Sequence, residues 1–251
     1  MAKRKPTEPT QKTAAPPPDE VSYFEESRRL GLSIVSILPL VVLYQVAIVQ
    51  SGSPTRNLAE VWISGPLSLL GMSAAAIMNI IVLMALVFAF WKVHSAGPLG
   101  LRFITVMLLE SVMYALVLFT GVTVVAKYMQ AEMGRYLAIH LPASGSLLLG
   151  LGAAVYEELL FRLILVGAGI AILTKACLWN RLLATVTLLT LSSLLFAAAH
   201  HVSATGEPFD SFVFTFRTLC GVFLGLVFLL RGLGVAVWTH AIYNVLVLFC
   251  S

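Results

Sequence analysis

The chain has 251 residues, of which 59% are hydrophobic and 11% charged, and its mean hydropathy is +0.93. A soluble domain carries about 25% charged residues, so the composition excludes a water-soluble globular protein and indicates a chain that lies mostly in lipid. The net charge of +4 does not call for a nucleic-acid partner. Because the apolar runs are continuous and do not alternate with polar residues, they predict helices and not barrel strands.

The start of the chain differs from the rest. Residues 1–20 are polar, rich in proline and without aromatic residues, which predicts disorder. No small-residue cleavage site follows the first apolar run, so a signal peptide is not predicted. We expect a disordered cytoplasmic tail over 1–28, then N-terminal transmembrane helices over 29–143, with an interfacial helix at 128–143. A C-terminal transmembrane core follows over 144–251.

Seven apolar segments approach or exceed the roughly 20 residues that a helix needs to cross about 30 Å of hydrocarbon. They are Leu30–Gln50, Pro66–Trp91, Phe103–Val125, Leu147–Leu173, Leu182–Ala199, Phe212–Leu230 and Leu233–Cys250. The predicted fold is therefore all-α: a polytopic transmembrane helical bundle with about seven spans, or eight if one segment divides.

The distribution of basic residues predicts the orientation of the bundle. With a cytoplasmic N-terminus, eleven Lys and Arg residues fall on the inner side and three on the outer side. The inner ones are Lys3, Arg4, Lys5, Lys12, Arg28, Arg29, Lys92, Arg102, Lys175, Arg181 and Arg231, and the outer ones are Arg56, Lys127 and Arg135. We therefore expect an integral protein of a prokaryotic inner (plasma) membrane with its N-terminus in the cytoplasm.

Three of the apolar segments contain polar residues that are costly in lipid. The fourth contains YEELLFR at 156–162, the fifth ends in FAAAHH at 196–201, and the seventh contains HAIYN at 240–244. Each charged side chain at the centre of a membrane costs about 2.5–3.5 kcal/mol on insertion scales. Such groups must face protein or water and find partners, which marks these three segments as the place of a functional site.

Helical spacing sorts these residues into roles. Glu158 and Arg162 are four residues apart, so they share a helix face and are expected to form an ion pair. Glu157 lies about 100° around the helix and has no local cation, which suits a general base or acid. His240 and Asn244 also share a face, and together they offer hydrogen-bond donors of the kind that stabilise an oxyanion.

A second imidazole, His200, comes from the fifth segment. Glu157 with His200 could deprotonate a water molecule, while His240 with Asn244 could hold the oxyanion of a tetrahedral intermediate. This combination predicts a peptide hydrolase without a Ser or Cys nucleophile.

The ordered set EExxxR, FxxxH and HxxxN on successive apolar segments resembles the CAAX protease and bacteriocin-processing family, also called CPBP or Abi. The Ras-converting CAAX endopeptidase is a member of it. Here the motifs begin at Glu157, Phe196 and His240, and the resemblance covers roughly residues 145–250. It implies that 144–251 is a catalytic core which cuts a membrane-associated protein or peptide within the lipid bilayer.

The resemblance also implies roles for six residues. The catalytic set is Glu157, His200, His240 and Asn244, and the site-organising pair is Glu158 and Arg162. No cofactor is expected: activation of water by side chains alone is favoured, and the chain contains no HExxH motif. Zinc is the alternative, and its ligands would be Glu157, His200 and His240.

Two other functions remain open on the sequence alone. One is a catalytically silent immunity or scaffold protein on the same fold, and the other is a proton-coupled transporter, although no internal repeat is visible. Two further charges in apolar segments, Glu110 and Arg217, are expected to be structural, either paired with each other or lining the cavity. The cysteines, Cys177, Cys220 and Cys250, are expected to be small buried hydrophobes.

Overall fold

The computed structural model describes residues 22–51, 57–69, 71, 77, 80–85, 87, 88, 91, 99–128, 147–202 and 208–250. Residues 1–21 of the predicted tail, and 129–143 of the predicted interfacial helix, lie outside this set. Over the described residues the chain is helical and contains no strand, which confirms the predicted all-α fold.

The described residues form nine α-helices and one π-helix. These are α1 (Tyr23–Ser27), α2 (Leu30–Ser51), α3 (Leu58–Ser68), α4 (Leu99–Tyr128), α5 (Leu147–Glu158), the π-helix (Leu159–Ala168), α6 (Gly169–Lys175), α7 (Arg181–Val202), α8 (Ser211–Arg231) and α9 (Leu233–Cys250). Helix α1 consists of residues that we assigned to the tail.

Four of these helices are long and apolar enough to cross a membrane by length and composition, namely Leu30–Gln50, Arg102–Val125, Arg181–Val202 and Ser211–Arg231. A shorter apolar helix covers Leu233–Phe249. The predicted fourth segment is helical without interruption from Leu147 to Lys175, through α5, the π-helix and α6.

The predicted second segment, Pro66–Trp91, has the wrong start. Pro66 lies inside α3, which begins at Leu58 and ends at Ser68, and Gly71 then adopts a positive φ of 81°. The helix has thus ended before Gly71, so the segment is not one straight span. The residues described beyond it, including 80–85, are helical.

Helix α9 lies at the centre of the bundle, where it packs against α2, α4, α5 and α8. Its side chains Val235, Ala236, Val237 and Ala241 are fully buried. Because so little of α9 faces lipid, a polar residue on it is held by neighbouring helices, as a polar residue in a membrane must be.

Helices α7 and α8 approach closely because α8 presents glycines. A Cβ atom at Gly221 would lie 3.0 Å from Ser193, and one at Gly225 would overlap Leu189. Small residues four apart allow two helix backbones to pack in contact within a membrane. This packing brings the backbone of α8 next to the site residues on the π-helix.

At the end of the bundle where α8 finishes, a second polar cluster ties α1 to α4 and α8. Glu110 on α4 accepts hydrogen bonds from Arg231 and from the hydroxyl of Tyr23. Arg231 also donates to Ser27 Oγ at 3.1 Å. The partner of Glu110 is therefore Arg231 and not Arg217, a pairing that 121 residues of separation hide from the sequence.

Cys177 and Cys220 differ in their exposure to the surroundings. Cys220 on α8 is buried, as expected, whereas Cys177 is exposed in the turn between α6 and α7. The expectation was wrong for Cys177 because the helix ends at Lys175, and the following residues turn outward with Leu178 at a φ of 54°.

Candidate active site

The centre of the site is an ion pair at the junction of α5 and the π-helix. Glu158 is fully buried, and its Oε2 lies 3.1 Å from Arg162 Nε, so the pair expected from the four-residue spacing is present. Arg162 also donates from Nη2 to the carbonyl of Gly221 at 3.3 Å, and its guanidinium lies 4.6 Å from the centre of the Phe196 ring. These contacts join the π-helix to α7 and α8.

His240 on α9 bridges the two adjacent glutamates. Its Nδ1 lies 2.8 Å from Glu158 Oε1, and its Nε2 lies 3.7 Å from Glu157 Oε2. An ionised carboxylate only accepts hydrogen bonds, so next to an ionised Glu158 the Nδ1 atom carries the proton. The contact with Glu158 thereby orients the ring so that Nε2 faces Glu157.

Glu157 differs from its neighbour in exposure. Its side chain is 12% exposed, whereas that of Glu158 is 0% exposed. Oε1 accepts a hydrogen bond of 2.9 Å from Asn57 Nδ2. Oε2 makes no hydrogen bond within the described ranges and faces His240. One carboxylate oxygen is thus held by Asn57, and the other faces His240.

His200 ends the buried face of α7 beside the same cluster. Its Nδ1 lies 2.9 Å from the carbonyl of Phe196, a contact in which Nδ1 donates. The Phe196 ring lies between the two imidazoles, with centroids 5.0 Å from His200 and 5.9 Å from His240. The helix bundle therefore gathers residues that are separated by 83 positions in the sequence.

Asn244 shares a face of α9 with His240, one turn further along. Its Nδ2 donates to the carbonyl of Gly150 on α5 at 3.2 Å. One amide hydrogen is thus used to join two helices, and the second remains for another acceptor. The assignment of Asn244 to an oxyanion hole stays a prediction.

The arrangement of these side chains bears on the zinc alternative. Within the part of the chain that the structure describes, no group of three or more His, Cys, Asp or Glu side chains is arranged to hold a metal ion. His240 Nδ1 is engaged by Glu158, and its Nε2 is 3.7 Å from Glu157. Neither contact decides between water activation by side chains alone and zinc held by Glu157, His200 and His240, so the absence of a cofactor stays a prediction.

Asn57, just before α3, is a site residue that sequence reasoning missed. The only signal is an asparagine directly before an apolar helix, which predicts an N-cap and not a contact with a residue 100 positions away. The first three apolar segments carry no family motif, so nothing in them pointed to the site.

Comparison of the sequence with known protein families finds one match. The model of the family described as Type II CAAX prenyl endopeptidase Rce1-like matches residues 140–246. The C-terminal region is therefore similar to this family. The match includes all three motifs and confirms the resemblance to the CAAX proteases, while Asn57 lies outside it. With its apolar helices, the chain is an integral membrane protein, and the family to which its C-terminal region is matched is one of proteases. No curated protein and no solved structure matches the chain.

Proposed function

We propose that the chain is an intramembrane endopeptidase that hydrolyses a peptide bond of a membrane-associated protein or peptide. The observation that carries the proposal is the placement of Glu157, which is partly exposed and turns toward His240 a carboxylate oxygen that accepts no hydrogen bond from the described residues. The Rce1-like match supports peptidase activity in general.

In the proposed reaction, Glu157 Oε2 accepts a proton from water as the water oxygen attacks the carbonyl carbon of the scissile bond. His200 hydrogen-bonds the same water through Nε2, because its Nδ1 is already bound to the Phe196 carbonyl. The proton taken by Glu157 then passes to the leaving nitrogen as the C–N bond breaks. Water and peptide thus give a carboxylic acid and an amine, with the base regenerated.

The negative charge that develops on the carbonyl oxygen needs donors. His240 donates to that oxygen from Nε2, while Glu158 accepts from its Nδ1 at 2.8 Å and holds the ring in place. The second amide hydrogen of Asn244 is the other proposed donor. Arg162 holds Glu158 in the orientation that His240 requires.

Membrane-protein termini provide the test of this function. Membranes from cells that produce the wild-type chain, and from cells that produce Glu157→Gln, are compared by mass spectrometry of protein termini. We expect new termini in membrane-associated proteins that are present with wild type and absent with Glu157→Gln. The matched control is Glu25→Gln, at an exposed residue of α1, which should give the wild-type set. Identical termini in all samples would favour the catalytically silent scaffold.

The cytoplasmic N-terminus is also a proposal, and an exposed residue at each end of α7 allows it to be tested. Cys177 is exposed before the helix begins, and Val202 is 69% exposed at its end. In chains with a single cysteine at one of these two positions, an impermeant thiol reagent added outside intact cells should label Val202→Cys and not Cys177. The reverse labelling would place the N-terminus outside.

A further inference from the structure

We infer that Asn57 is a positioning residue for Glu157, supplied from outside the Rce1-like region. This inference rests on the proposed role of Glu157 as the base. The side chain of Asn57 contacts two groups at once: its Oδ1 accepts from the backbone N–H of Ala59 at 2.8 Å, and its Nδ2 donates to Glu157 Oε1 at 2.9 Å.

The direction of the Asn57 amide is set by these two contacts. Because Oδ1 must face the Ala59 N–H, the amide has only its nitrogen to present to the carboxylate. The reversed amide would place oxygen against oxygen at Glu157 and nitrogen against nitrogen at Ala59. The N-cap of α3 therefore aims a donor at Glu157.

The backbone of Asn57 is held as well. Its N–H donates to the hydroxyl of Tyr44 at 3.2 Å, and that hydroxyl donates to Glu60 Oε2 at 2.7 Å. Tyr44 and Glu60 are 1% and 0% exposed. A buried chain of hydrogen bonds thus runs from α3 through α2 and back to Asn57, so the amide is anchored at both its backbone and its side chain.

The consequence concerns the two oxygens of Glu157. Asn57 occupies Oε1, which prevents the carboxylate from turning and leaves Oε2 directed at His240 Nε2, 3.7 Å away. Without the donor, the carboxylate can rotate about its last bond, and either oxygen can leave the position from which it takes a proton. Such a displacement lowers the rate of the chemical step more than substrate binding.

Two substitutions separate this role from helix capping. Ser and Asp are both good N-cap residues, so Asn57→Ser and Asn57→Asp preserve the start of α3. Asn57→Ser is too short to reach Glu157 and should lower kcat by about tenfold, with KM little changed. Asn57→Asp places a second carboxylate against Oε1 and should lower kcat by about 100-fold.

The assay uses the full chain in lipid nanodiscs and a synthetic peptide that spans the most abundant cleavage site dependent on Glu157. Thermal unfolding is measured on the same samples, and the unfolding temperature should be that of wild type. The matched control is Asn180, which caps α7 through Oδ1 to the N–H of Leu182 at 2.8 Å and lies away from the site. Asn180→Ser and Asn180→Asp should leave kcat unchanged.

The results distinguish the inference from the function on which it rests. If Glu157→Gln cleaves like wild type, or if no cleavage depends on Glu157, the proposed function fails and the inference fails with it. If Glu157→Gln is inactive but Asn57→Asp has the wild-type kcat, only the positioning role is overturned. A loss of kcat that follows the loss of unfolding temperature across the Asn57 variants would also overturn it, because that result means capping alone.

Discussion

The bundle contains two clusters in which an arginine forms an ion pair with a glutamate inside apolar helices. They differ in whether a second carboxylate is present beside the pair. In the cluster at the end of α8, Glu110 has one arginine partner and accepts hydrogen bonds from hydroxyl groups that include that of Tyr23. Arg231 in turn donates to Ser27 and lies 4.4 Å and 5.2 Å from the ring centres of Phe24 and Tyr23. Each charge there is matched by the other.

The cluster around Arg162 has one carboxylate more than it has arginines. Glu158 takes the arginine and the Nδ1 of His240, which leaves Glu157 with a neutral amide donor and an imidazole nitrogen at 3.7 Å. The comparison shows that a charge in a membrane helix does not itself indicate chemistry. The excess of one carboxylate over the arginines separates the candidate site from the structural cluster.

The largest effect is expected from removing one member of the buried Glu158–Arg162 ion pair. Arg162→Ala leaves Glu158 uncompensated at full burial, which should lower the free energy of unfolding by about 3–5 kcal/mol and abolish cleavage. Thermal unfolding in detergent and the yield of folded protein measure this change. The matched control is Arg181→Ala, at an exposed arginine, with little expected effect. Wild-type stability of Arg162→Ala would mean that the pair does not hold the bundle together.

Glu157→Gln should affect the rate without a comparable effect on folding. Glutamine keeps the shape of the side chain and can still bond to Asn57 through its oxygen, but it cannot take a proton. Cleavage should fall by about 10²–10⁴-fold, the usual contribution of a general base, while the unfolding temperature changes little. If this variant unfolded as easily as Arg162→Ala, Glu157 would be needed for folding, and the distinction between the two clusters would be wrong.

Glu110→Gln tests the structural cluster with the same substitution. It leaves Arg231 without its carboxylate, in a place that is less buried than Arg162, so the expected loss is about 1–3 kcal/mol of unfolding free energy. Cleavage per folded molecule should stay at the wild-type rate. A large loss of kcat at preserved stability would instead assign this end of the bundle a part in the reaction.

The smallest effect belongs to Tyr23→Phe, which removes one donor to Glu110 and keeps the ring against Arg231. We expect a loss of about 1 kcal/mol, since the ion pair remains and the site is partly open to solvent. Chemical denaturation of this variant and of Glu110→Gln measures which of the two loses more unfolding free energy. An effect as large as that of Glu110→Gln would show that the hydroxyl, and not the arginine, holds the carboxylate.

The sequence predicted the helical segments well because continuous apolar runs have few alternatives in lipid. It also predicted the Glu158–Arg162 pair, since four residues of helix determine that two side chains share a face. The second span was misplaced because hydropathy alone does not reveal that α3 starts at Leu58 and that Gly71 turns the chain.

Contacts between helices could not be predicted in the same way. The bonds from Arg231 to Glu110 and from Asn57 to Glu157 join residues 121 and 100 positions apart. They depend on how whole helices pack, and the local pattern around each residue is compatible with many partners. Only the three motifs, through their resemblance to a family, indicated that distant helices meet.

The π-helix from Leu159 to Ala168 has a consequence for insertions and deletions. Its hydrogen bonds join residues five apart in place of four, so over two turns it takes up about two residues more than an α-helix. Two glycines near its end face side chains of other helices: a Cβ at Gly167 would lie 3.2 Å from Phe228, and one at Gly169 would lie 2.9 Å from Leu188. A single-residue deletion in this stretch would rotate those glycines away while Glu158 stayed in place. The number of residues between the carboxylates and the glycines is therefore a constraint in its own right, separate from the identity of any side chain between them.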